Sequence, residues 1–504
     1  MTLQSVASVH EPPFVLTNFQ LWPDDARQGN VMAVGPDGRL RYIGRRPHEA
    51  SNEQTVDGQG AHLIPGFIDA HVHVRASASA RASIDISDYS TTAQILETIR
   101  EQRPRSGWMS LWGLQSETLS GAPPTAEQLD EASGGLPVRI RHRSSHAWIF
   151  SGTALARFGL ASAPRAGVHV ERREDRSPTG FVVDHSGWVG DQVGRITSPS
   201  RLTAEVSAWS VSLAREGIVA LVDATARNGP VELQQLADWR AQEVILQRVV
   251  AMSSVDITQA PDPLRFGGHK LMPPFPTDLH LLIKESWAQR IPVAVHCVTL
   301  DELGCLIEAV EAIPPQLRGA LRIEHASSCP REWLERLAAL QPTIVTHPAF
   351  VRVHGDRYLA DPTLAPHEWL YRVASWQDAG LTVAFASDAP AGPTSPLLQI
   401  QAAVDRRTAQ GSVLGPSEAV SLRAAVTCVT GSAAAAAGLG REGFGTWTEG
   451  MRANGVLIGA APGGLADPEA TVLATIIDGR FVWWRDPRPV SNRLDPANNG
   501  DAQV

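Results

Sequence analysis

Between residues 67 and 388, short apolar runs alternate with longer segments of helical spacing. Eight of these runs are rich in valine, isoleucine and alanine, and each ends close to a polar residue. The alternation predicts strands joined by helices around a parallel sheet, and eight such units suit an α/β fold of the (β/α)8 TIM barrel type. The predicted barrel strands are FIDAHVH, IVALVDA, LQRVVAM, GGHKLM, VAVHC, LRIEHA, TIVTHP and TVAFASD.

Strand patterns also occur near both ends of the chain. Residues 14–64 form short apolar runs separated by turn residues such as PDG, and residues 454–484 form runs around an IDGR hairpin. We predict one composite β-sandwich domain built from both ends. The predicted division is 1–64 for its N-terminal part, 65–433 for the catalytic barrel and 434–504 for its C-terminal part.

The gap after the first barrel strand is too long for one helix and its loops. About 145 residues separate His73 from Ile218, which is at least about a hundred more than a βα unit requires. We predict an inserted cap subdomain at about 78–205, over the barrel mouth. It holds four tryptophans, of which Trp112 and Trp148 are candidate substrate contacts because pockets for small organic ligands are mostly apolar. The alternative is a stabilising elaboration whose tryptophans serve packing.

Composition and charge narrow the class of partner. The 504 residues are 43 % hydrophobic and 19 % charged, as in globular proteins, and the net charge of -9 comes without any basic run. We therefore expect a small-molecule substrate, not nucleic acid or a membrane, and leave assembly into a homo-oligomer open. The absence of a signal-peptide pattern and of a long apolar stretch predicts a cytoplasmic location.

Candidate metal ligands follow the predicted barrel strands. His71 and His73 are two residues apart, so in a strand their side chains point to the same face. In a (β/α)8 barrel the carboxyl ends of the strands meet at one mouth, so ligands that end different strands converge. The further candidates, each near the end of another strand, are Lys270, His296, His325 and Asp388. The four imidazoles and the one carboxylate of this set suit Zn²⁺, with Mn²⁺ or Fe²⁺ as alternatives.

Lysine is nearly absent from the chain. Only Lys270 and Lys284 are lysines among the 44 basic residues, and Lys284 lies in a helical pattern. Arginine replaces lysine at a surface, but it cannot supply a neutral amine. A neutral Lys270 that adds carbon dioxide would offer two carbamate oxygens to two adjacent ions. The alternative is a Lys270 ammonium that binds substrate or a carboxylate beside a single ion.

The motifs PGFIDAHVH, HKLM, VAVHC, RIEHA and ASDAP, in this order, resemble those of the amidohydrolase superfamily. The split β domain and RSSHAWIFSGTAL in the insertion are similar to its branch of N-substituted formamide deformylase-like metal-dependent hydrolases. The resemblance implies a binuclear metal centre with one or two ions per chain and a carbamylated Lys270. The implied ligands of the first ion are His71, His73, Lys270 and Asp388, and those of the second are Lys270, His296 and His325.

The resemblance also implies roles in catalysis. Asp388 would be the general base, and His146 resembles a position near the substrate carbonyl that stabilises the oxyanion; the alternative for His146 is an ordinary cap histidine. His347 also ends a strand, but the family requires no ligand there, so it is a candidate for the pocket wall. Two departures from the family pattern are Pro273 after the strand-four lysine motif and Asn454 in place of an aspartate in the C-terminal β domain.

The predicted activity is hydrolysis of a non-peptide carbon–nitrogen bond by metal-activated hydroxide. The substrate would be a small amide, formamide or carbamate with an apolar or aromatic group, and no arginine pair could be assigned to clamp a carboxylate or phosphate. A deaminase or a lactonase or esterase with the same metal site is the alternative, because the fold does not specify the bond that is cut. A non-catalytic binding protein is disfavoured because all six ligand positions are occupied.

Overall fold

The computed structural model describes residues 11–23, 31–44, 53–105, 107–116, 119–143, 147–161, 166–184, 187–361, 365–459 and 464–485. The chain divides into two compact units, which are described separately below. The first unit comprises residues 1–72, 210–388 and 392–504, and the second comprises 73–209 and 389–391. The finer predicted boundaries at residues 64 and 433 stay predictions.

The described residues form strands that are numbered in chain order. They are β1 (Phe14–Thr17), β2 (Gln20–Leu21), β3 (Val31–Val34), β4 (Leu40–Gly44), β5 (Gln54–Asp57), β6 (His62–Pro65), β7 (Phe67–Val72), β8 (Ile84–Asp85), β9 (Met109–Leu114), β10 (Val138–His142), β11 (Ala147–Phe150), β12 (Val168–Arg172), β13 (Pro178–Asp184), β14 (Ile218–Asp223), β15 (Arg248–Ser253), β16 (Arg265–Leu271), β17 (Val293–Cys297), β18 (Leu321–His325), β19 (Thr343–Thr346), β20 (Thr382–Phe385), β21 (Gly455–Gly459), β22 (Thr471–Ile477) and β23 (Arg480–Trp484).

The α-helices are numbered in the same way. They are α1 (Val74–Arg81), α2 (Thr92–Gln102), α3 (Ala126–Ser133), α4 (Gly152–Arg157), α5 (Trp188–Ile196), α6 (Pro199–Arg215), α7 (Pro230–Ala241), α8 (Leu279–Ala288), α9 (Leu300–Glu311), α10 (Leu334–Leu340), α11 (Ala349–Ala360), α12 (Ala374–Asp378), α13 (Pro396–Asp405), α14 (Leu422–Val429) and α15 (Gly431–Ala436). Short 3₁₀ helices occur at Pro315–Leu317, Arg331–Trp333, His367–Trp369, Pro416–Glu418, Gly440–Glu442 and Gly464–Ala466. In the part of the chain that the structure describes, no helix has both the length and the apolar character needed to cross a membrane.

An eight-stranded sheet forms the centre of the first unit. Its order is β20-β19-β18-β17-β16-β15-β14-β7, and every neighbouring pair is parallel. All eight predicted barrel strands are therefore confirmed, as is the (β/α)8 fold. The sheet closes almost completely, and two hydrogen bonds connect its first strand, β7, to the residues that follow its last strand, β20. The Asp388 N–H donates to the His71 carbonyl at 2.9 Å, and the Ser387 N–H donates to Asp69 Oδ1 at 3.0 Å. These bonds bring the carboxyl ends of β7 and β20 together.

The strands from both chain ends share one sheet. In the order β2-β6-β21-β22-β23, β6 and β21 pair antiparallel with Ile64 opposite Val456. A second sheet, β4-β3-β1-β5, contributes to the same apolar core through residues such as Phe14 and Met32. Asn454 accepts a hydrogen bond from the Asp478 N–H at 3.0 Å, so its amide braces the turn between β22 and β23. The predicted composite β domain is thus observed.

The second unit has its own six-stranded sheet, in the order β12-β13-β11-β10-β9-β8. Alternation along the strands gives the sheet two different faces. One face carries Leu111 and Ile140 into a core with Ile95 and Ile99 of α2. The other face carries Trp148 and its neighbours into a second apolar cluster. The insertion is therefore a packed structure with cores of its own.

Candidate metal centre

Three imidazoles of the first unit surround that of His325. Its ring centroid lies 4.9 Å from that of His71, 4.4 Å from that of His296 and 5.0 Å from that of His347. The four residues come from β7, β17, β18 and the end of β19, which are spread across the sheet. The convergence follows from the parallel barrel, because the carboxyl ends of all its strands lie at one end.

Asp388 is shared by two groups of potential ligand atoms. His71, His73 and Asp388 form one group, and His325, His347 and Asp388 form the other; within each group the ligand atoms lie within 4.8 Å of one another. Asp388 Oδ1 is 3.5 Å from His71 Nε2, and Oδ2 is 3.8 Å from His325 Nδ1. The side chain of Asp388 keeps 15 % exposure. A carboxylate in this position can contact both an ion and a substrate.

Glu324 orients His71, and the sequence patterns above did not single it out. Its fully buried carboxylate accepts a 2.6 Å hydrogen bond from His71 Nδ1 and bonds from Arg322 Nε at 2.8 Å and Nη2 at 3.2 Å. Burial alone would raise the pKa of Glu324, but Arg322 holds it well below its usual range. An ionised Glu324 places the proton of His71 on Nδ1, so the Nε2 lone pair faces Asp388. The sequence signal was two charged residues, two apart, in the apolar strand LRIEH.

His347 orients His325 in a similar way. His347 Nδ1 lies 2.7 Å from the Ala386 carbonyl, and His347 Nε2 lies 2.9 Å from His325 Nδ1. A carbonyl only accepts, so His347 carries its proton on Nδ1, and its Nε2 accepts the proton of His325 Nδ1. The His325 Nε2 lone pair is then available to a metal ion. His347, which we predicted to line the pocket wall, therefore touches a candidate ligand directly.

Burial keeps the imidazoles neutral. Desolvation lowers the pKa of His71 to about 3, lowers that of His325 well below its usual range and also lowers that of His347. A neutral imidazole is the form that ligates a metal ion. These three imidazoles are therefore in their metal-binding protonation state at neutral pH.

Lys270 places an amine without a hydrogen-bond partner in the same region. It lies near the end of β16, is 4 % exposed, and its Nζ is buried without a hydrogen-bond partner among the described residues. Burial lowers its pKa to about 8, against the opposing charges of Glu324 and Asp388. A buried amine without a hydrogen bond is uncommon in proteins. Together with the histidines and Asp388, this amine fits the donor set of a metal centre that uses a modified lysine.

Asp69 is a second buried carboxylate that no sequence pattern singled out. Its Oδ1 accepts hydrogen bonds from the backbone N–H groups of His71 and Ser387, at 3.2 and 3.0 Å, while Oδ2 is buried without a partner in the described structure. Burial raises its pKa to about 6. By joining β7 to the residues after β20, Asp69 fixes the spacing between His71 and Asp388.

Two of the candidate ligands have a left-handed backbone. The φ angles are 67° at His325 and 54° at Asp388, and Ala326 has φ 43°. Such conformations are rare for residues other than glycine and cost about 1 kcal/mol or more each. Their occurrence at two ligands of one cluster indicates that the surrounding structure holds these side chains in a functional geometry.

The remaining predicted site residues are His146, Trp112 and Trp148. His146 lies outside the described residues. Trp112 and Trp148 lie in the sheet of the second unit, on the two strands that flank β10. Trp148 is 5 % exposed and stacks against Phe150 with ring centroids 5.8 Å apart. Their contact with a substrate stays a prediction.

Comparison with known proteins adds several full-length similarities. The chain is 27 % identical to an N-substituted formamide deformylase of Arthrobacter pascens, over 90 % of this chain and 95 % of that protein. It is 24 % identical to a putative amidohydrolase, YtcJ, of Bacillus subtilis (strain 168), over 90 % and 94 % of the two chains. An uncharacterized metal-dependent hydrolase from Pyrococcus furiosus has the same fold, with a TM-score of 0.68, 20 % identity and coverage of 94 % of this chain and 99 % of that one.

The family itself is shown by a match that spans most of the sequence. Residues 54–483 match the pattern of the amidohydrolase family, and this range includes both strands of the composite β domain that pair across the chain ends, the whole barrel and the insertion. The resemblance inferred from the motifs is confirmed. This chain belongs to the amidohydrolase family and is a hydrolase that acts on carbon–nitrogen bonds.

Proposed function

We propose that this enzyme uses two divalent ions to hydrolyse a small amide, formamide or carbamate, and that the preferred ion is zinc. The observation that carries the proposal is Asp388, whose two oxygens face His71 on one side and His325 on the other. In the proposal the first ion takes His71, His73, Lys270 and Asp388, and the second takes Lys270, His296 and His325. Imidazole and carboxylate donors of this kind suit Zn²⁺, with Mn²⁺ or Fe²⁺ as alternatives.

Carbamylation of Lys270 would complete both ligand sets. The neutral amine attacks the carbon of CO₂, a new N–C bond forms, and one proton is released to solvent. At a pKa of about 8, roughly a tenth of the amine is neutral at pH 7, far more than for an ordinary lysine. The unpartnered position of Nζ supports this modification, because the amine makes no hydrogen bond in the described structure that the reaction would break.

Bound ions would lower the pKa of a shared water and polarise the substrate carbonyl. Asp388 then accepts the proton of the attacking water and delivers it to the departing nitrogen, so the carbon–nitrogen bond breaks as a carbon–oxygen bond forms. Its partial exposure allows this transfer, whereas the histidines around it are more deeply placed. Glu324 and His347 keep the ligand nitrogens of His71 and His325 free of protons throughout.

The substrate is proposed to be neutral and apolar or aromatic near the scissile bond. The similarity to an N-substituted formamide deformylase supports formamides as the first class to test. Contacts from Trp112, Trp148, His347 and His146 remain part of this proposal. The second candidate function is that of a deaminase, or of a lactonase or esterase, with the same metal ligands. The cytoplasmic location stays a prediction.

The test combines metal content with a substrate panel. The purified protein would be analysed for zinc, manganese and iron, then assayed with matched N-substituted formamides, acetamides, carbamates, esters, lactones and aminopurines. We expect up to two ions per chain and fastest release of amine from the formamides or amides. Chelation should abolish activity, and zinc with bicarbonate should restore it. Protein without metal, or a clear preference for lactones or for ammonia release, would contradict the proposal.

A further inference from the structure

Two arginines and two tryptophans form one face of the sheet in the second unit. In the strand register Arg141 lies opposite Trp112 of β9 and opposite Trp148 of β11. Arg139 is two residues earlier on β10, so it shares this face, where it lies opposite Ser110. We call the surface formed by Trp112, Arg139, Arg141 and Trp148 the Arg–Trp face.

The guanidinium of Arg141 lies over two aromatic rings. Its Cζ lies 5.4 Å from the ring centroid of Trp112 and 5.1 Å from that of Trp148. Its Nε is buried and makes no hydrogen bond to any described residue, although the residue as a whole keeps partial exposure. No carboxylate in the described parts of the chain forms an ion pair with it. Arg141 is therefore positioned as a cation but not neutralised.

Arg139 adds a second, more deeply buried cation. It is 7 % exposed, its Nε donates to Ser110 Oγ at 2.8 Å, and its Nη1 is buried with no described partner. The charged groups that affect it are Arg201 and Glu205, and Glu205 already accepts a 2.8 Å bond from Arg201 Nε. Arg139 thus lies near one positively and one negatively charged side chain, but no carboxylate of the described residues is hydrogen-bonded to it.

Two adjacent arginines without a bonded carboxylate are costly to bury. Desolvation lowers the pKa of both to about 10, so both remain charged at neutral pH. Unlike lysine or histidine, arginine cannot avoid the cost by losing its proton. The faces of two indoles offset only part of this cost. A bound anion would supply the missing charge and accept the unused N–H groups.

We propose that the Arg–Trp face binds the carboxylate of a small organic acid with an apolar body. A planar carboxylate matches a guanidinium edge with two parallel hydrogen bonds, and the half-buried indole of Trp112 offers apolar surface to the rest of the molecule. Inorganic phosphate has no apolar body to contact an indole, so a carboxylate with an apolar body matches this face better. The site contains no candidate metal ligand. It shares Trp112 and Trp148 with the proposed substrate contacts, and it goes beyond the proposed function by adding an anionic ligand bound through Arg141.

The direct test is calorimetric titration of the full-length, metal-loaded protein. Phenylacetate serves as the probe, and inorganic phosphate serves as the competing anion class. The neutral counterpart is 2-phenylethanol, which has no bond that the enzyme is proposed to hydrolyse. We expect saturable binding of phenylacetate, no binding of 2-phenylethanol and weaker binding of phosphate. Arg141→Met should weaken phenylacetate binding by at least about tenfold, the usual scale for loss of a charged hydrogen-bonding partner. Arg100→Met, at an exposed position of α2 in the same unit, should not change it.

Two further measurements distinguish binding at the Arg–Trp face from binding elsewhere on the protein. A carboxylate could bind metal ions, so Lys270→Ala should retain phenylacetate binding if the Arg–Trp face is responsible. Without ligand, Arg141→Met should unfold at least as high in temperature as the unmutated protein, because an apolar side chain replaces an uncompensated cation. Phenylacetate should raise the unfolding midpoint of the unmutated protein but not that of Arg141→Met.

Several results would overturn the proposal. These are equal affinity of Arg141→Met and the unmutated protein for phenylacetate, tighter binding of phosphate or 2-phenylethanol, absence of saturable binding, or loss of binding in Lys270→Ala alone. Should Arg141→Met fail to fold, Arg141→Lys keeps the charge but loses the paired hydrogen bonds. Unchanged affinity in that variant would equally refute the site.

Discussion

The histidine cluster of the barrel and the Arg–Trp face of the insertion both contain buried polar groups, but they differ in how these groups are hydrogen-bonded. In the cluster, His71 and His325 each have one ring nitrogen hydrogen-bonded to another side chain. On the Arg–Trp face, Arg141 is surrounded by indoles and has no described hydrogen-bond acceptor. The first region is organised before any ligand arrives, whereas the second has a charge that its own residues leave unbalanced.

The difference follows from the chemistry of the side chains. An imidazole can stay neutral, and burial lowers the pKa of His71 to about 3, so the ring is buried without charge and keeps one lone pair for a metal ion. A guanidinium stays charged even where burial lowers its pKa to about 10. Partnered, neutral histidines therefore indicate a cation site, and unpartnered arginines indicate an anion site.

The largest effect is expected from removing the amine of the cluster. Lys270→Ala should lose metal and essentially all hydrolytic activity, because both ions share this residue in the proposal. Lys284→Ala is the matched control, since the other lysine of the chain is exposed on α8. Metal analysis and steady-state kinetics would measure both variants.

A short carboxylate added to Lys270→Ala should restore part of its metal and activity by supplying the missing oxygens. Mass spectrometry of the unmutated protein under CO₂ should show the added carbamate. A bare amine beside two bound ions would refute the modification while leaving the metal centre itself intact.

Asp388→Asn tests proton transfer at the cluster. Asparagine tolerates the left-handed backbone of this position, so the fold and most of the metal should persist. The rate should fall at least about a hundredfold, the scale of general acid–base catalysis. Asp378→Asn, at an exposed position of α12, serves as the control. Near-normal turnover in Asp388→Asn would exclude the role as base.

Glu324→Gln tests whether the hydrogen bonds behind the ligands matter. A neutral amide no longer fixes the proton of His71 on Nδ1 and leaves Arg322 less well compensated. Metal affinity should weaken by about 10- to 100-fold, as is usual when the partner of a ligating histidine is removed. Metal-buffer titration would measure the affinity, with exposed Glu335→Gln as the control. Unaltered affinity would mean that the cluster does not depend on its buried carboxylate.

The smallest effect is expected at the half-buried edge of the Arg–Trp face. Trp112→Ala should change the ratio of kcat/KM between aromatic and aliphatic N-acyl amides by about tenfold or less, the usual discrimination of an apolar pocket. Metal content and the unfolding midpoint should stay close to those of the unmutated protein. Trp148→Ala should act in the same direction but also destabilise its apolar cluster. If neither variant changes the ratio, the tryptophans serve the insertion alone.

Much of the candidate metal centre could be predicted from the sequence, because the barrel relates the place of a residue along a strand to its place in the fold. Once eight strands are recognised, any ligand at a strand end lies at the mouth, and His71, His296, His325 and Asp388 are found together there. His347 also ends a strand, but its hydrogen bond to His325 could not be read from spacing. Glu324 gave a weak local signal, a charged pair within an apolar strand, that was not used.

The sequence by itself determined the order of strands, the types of ligand and the family, because strand periodicity and short motifs are local properties of the chain. Only the tertiary structure decided which groups touch. Glu324 meets His71 across 253 positions of sequence, and Arg141 acquires Trp112 and Trp148 through the register of three strands. A one-residue shift of register would turn Arg141 to the opposite face, so its surroundings depend on strand pairing that no local pattern specifies.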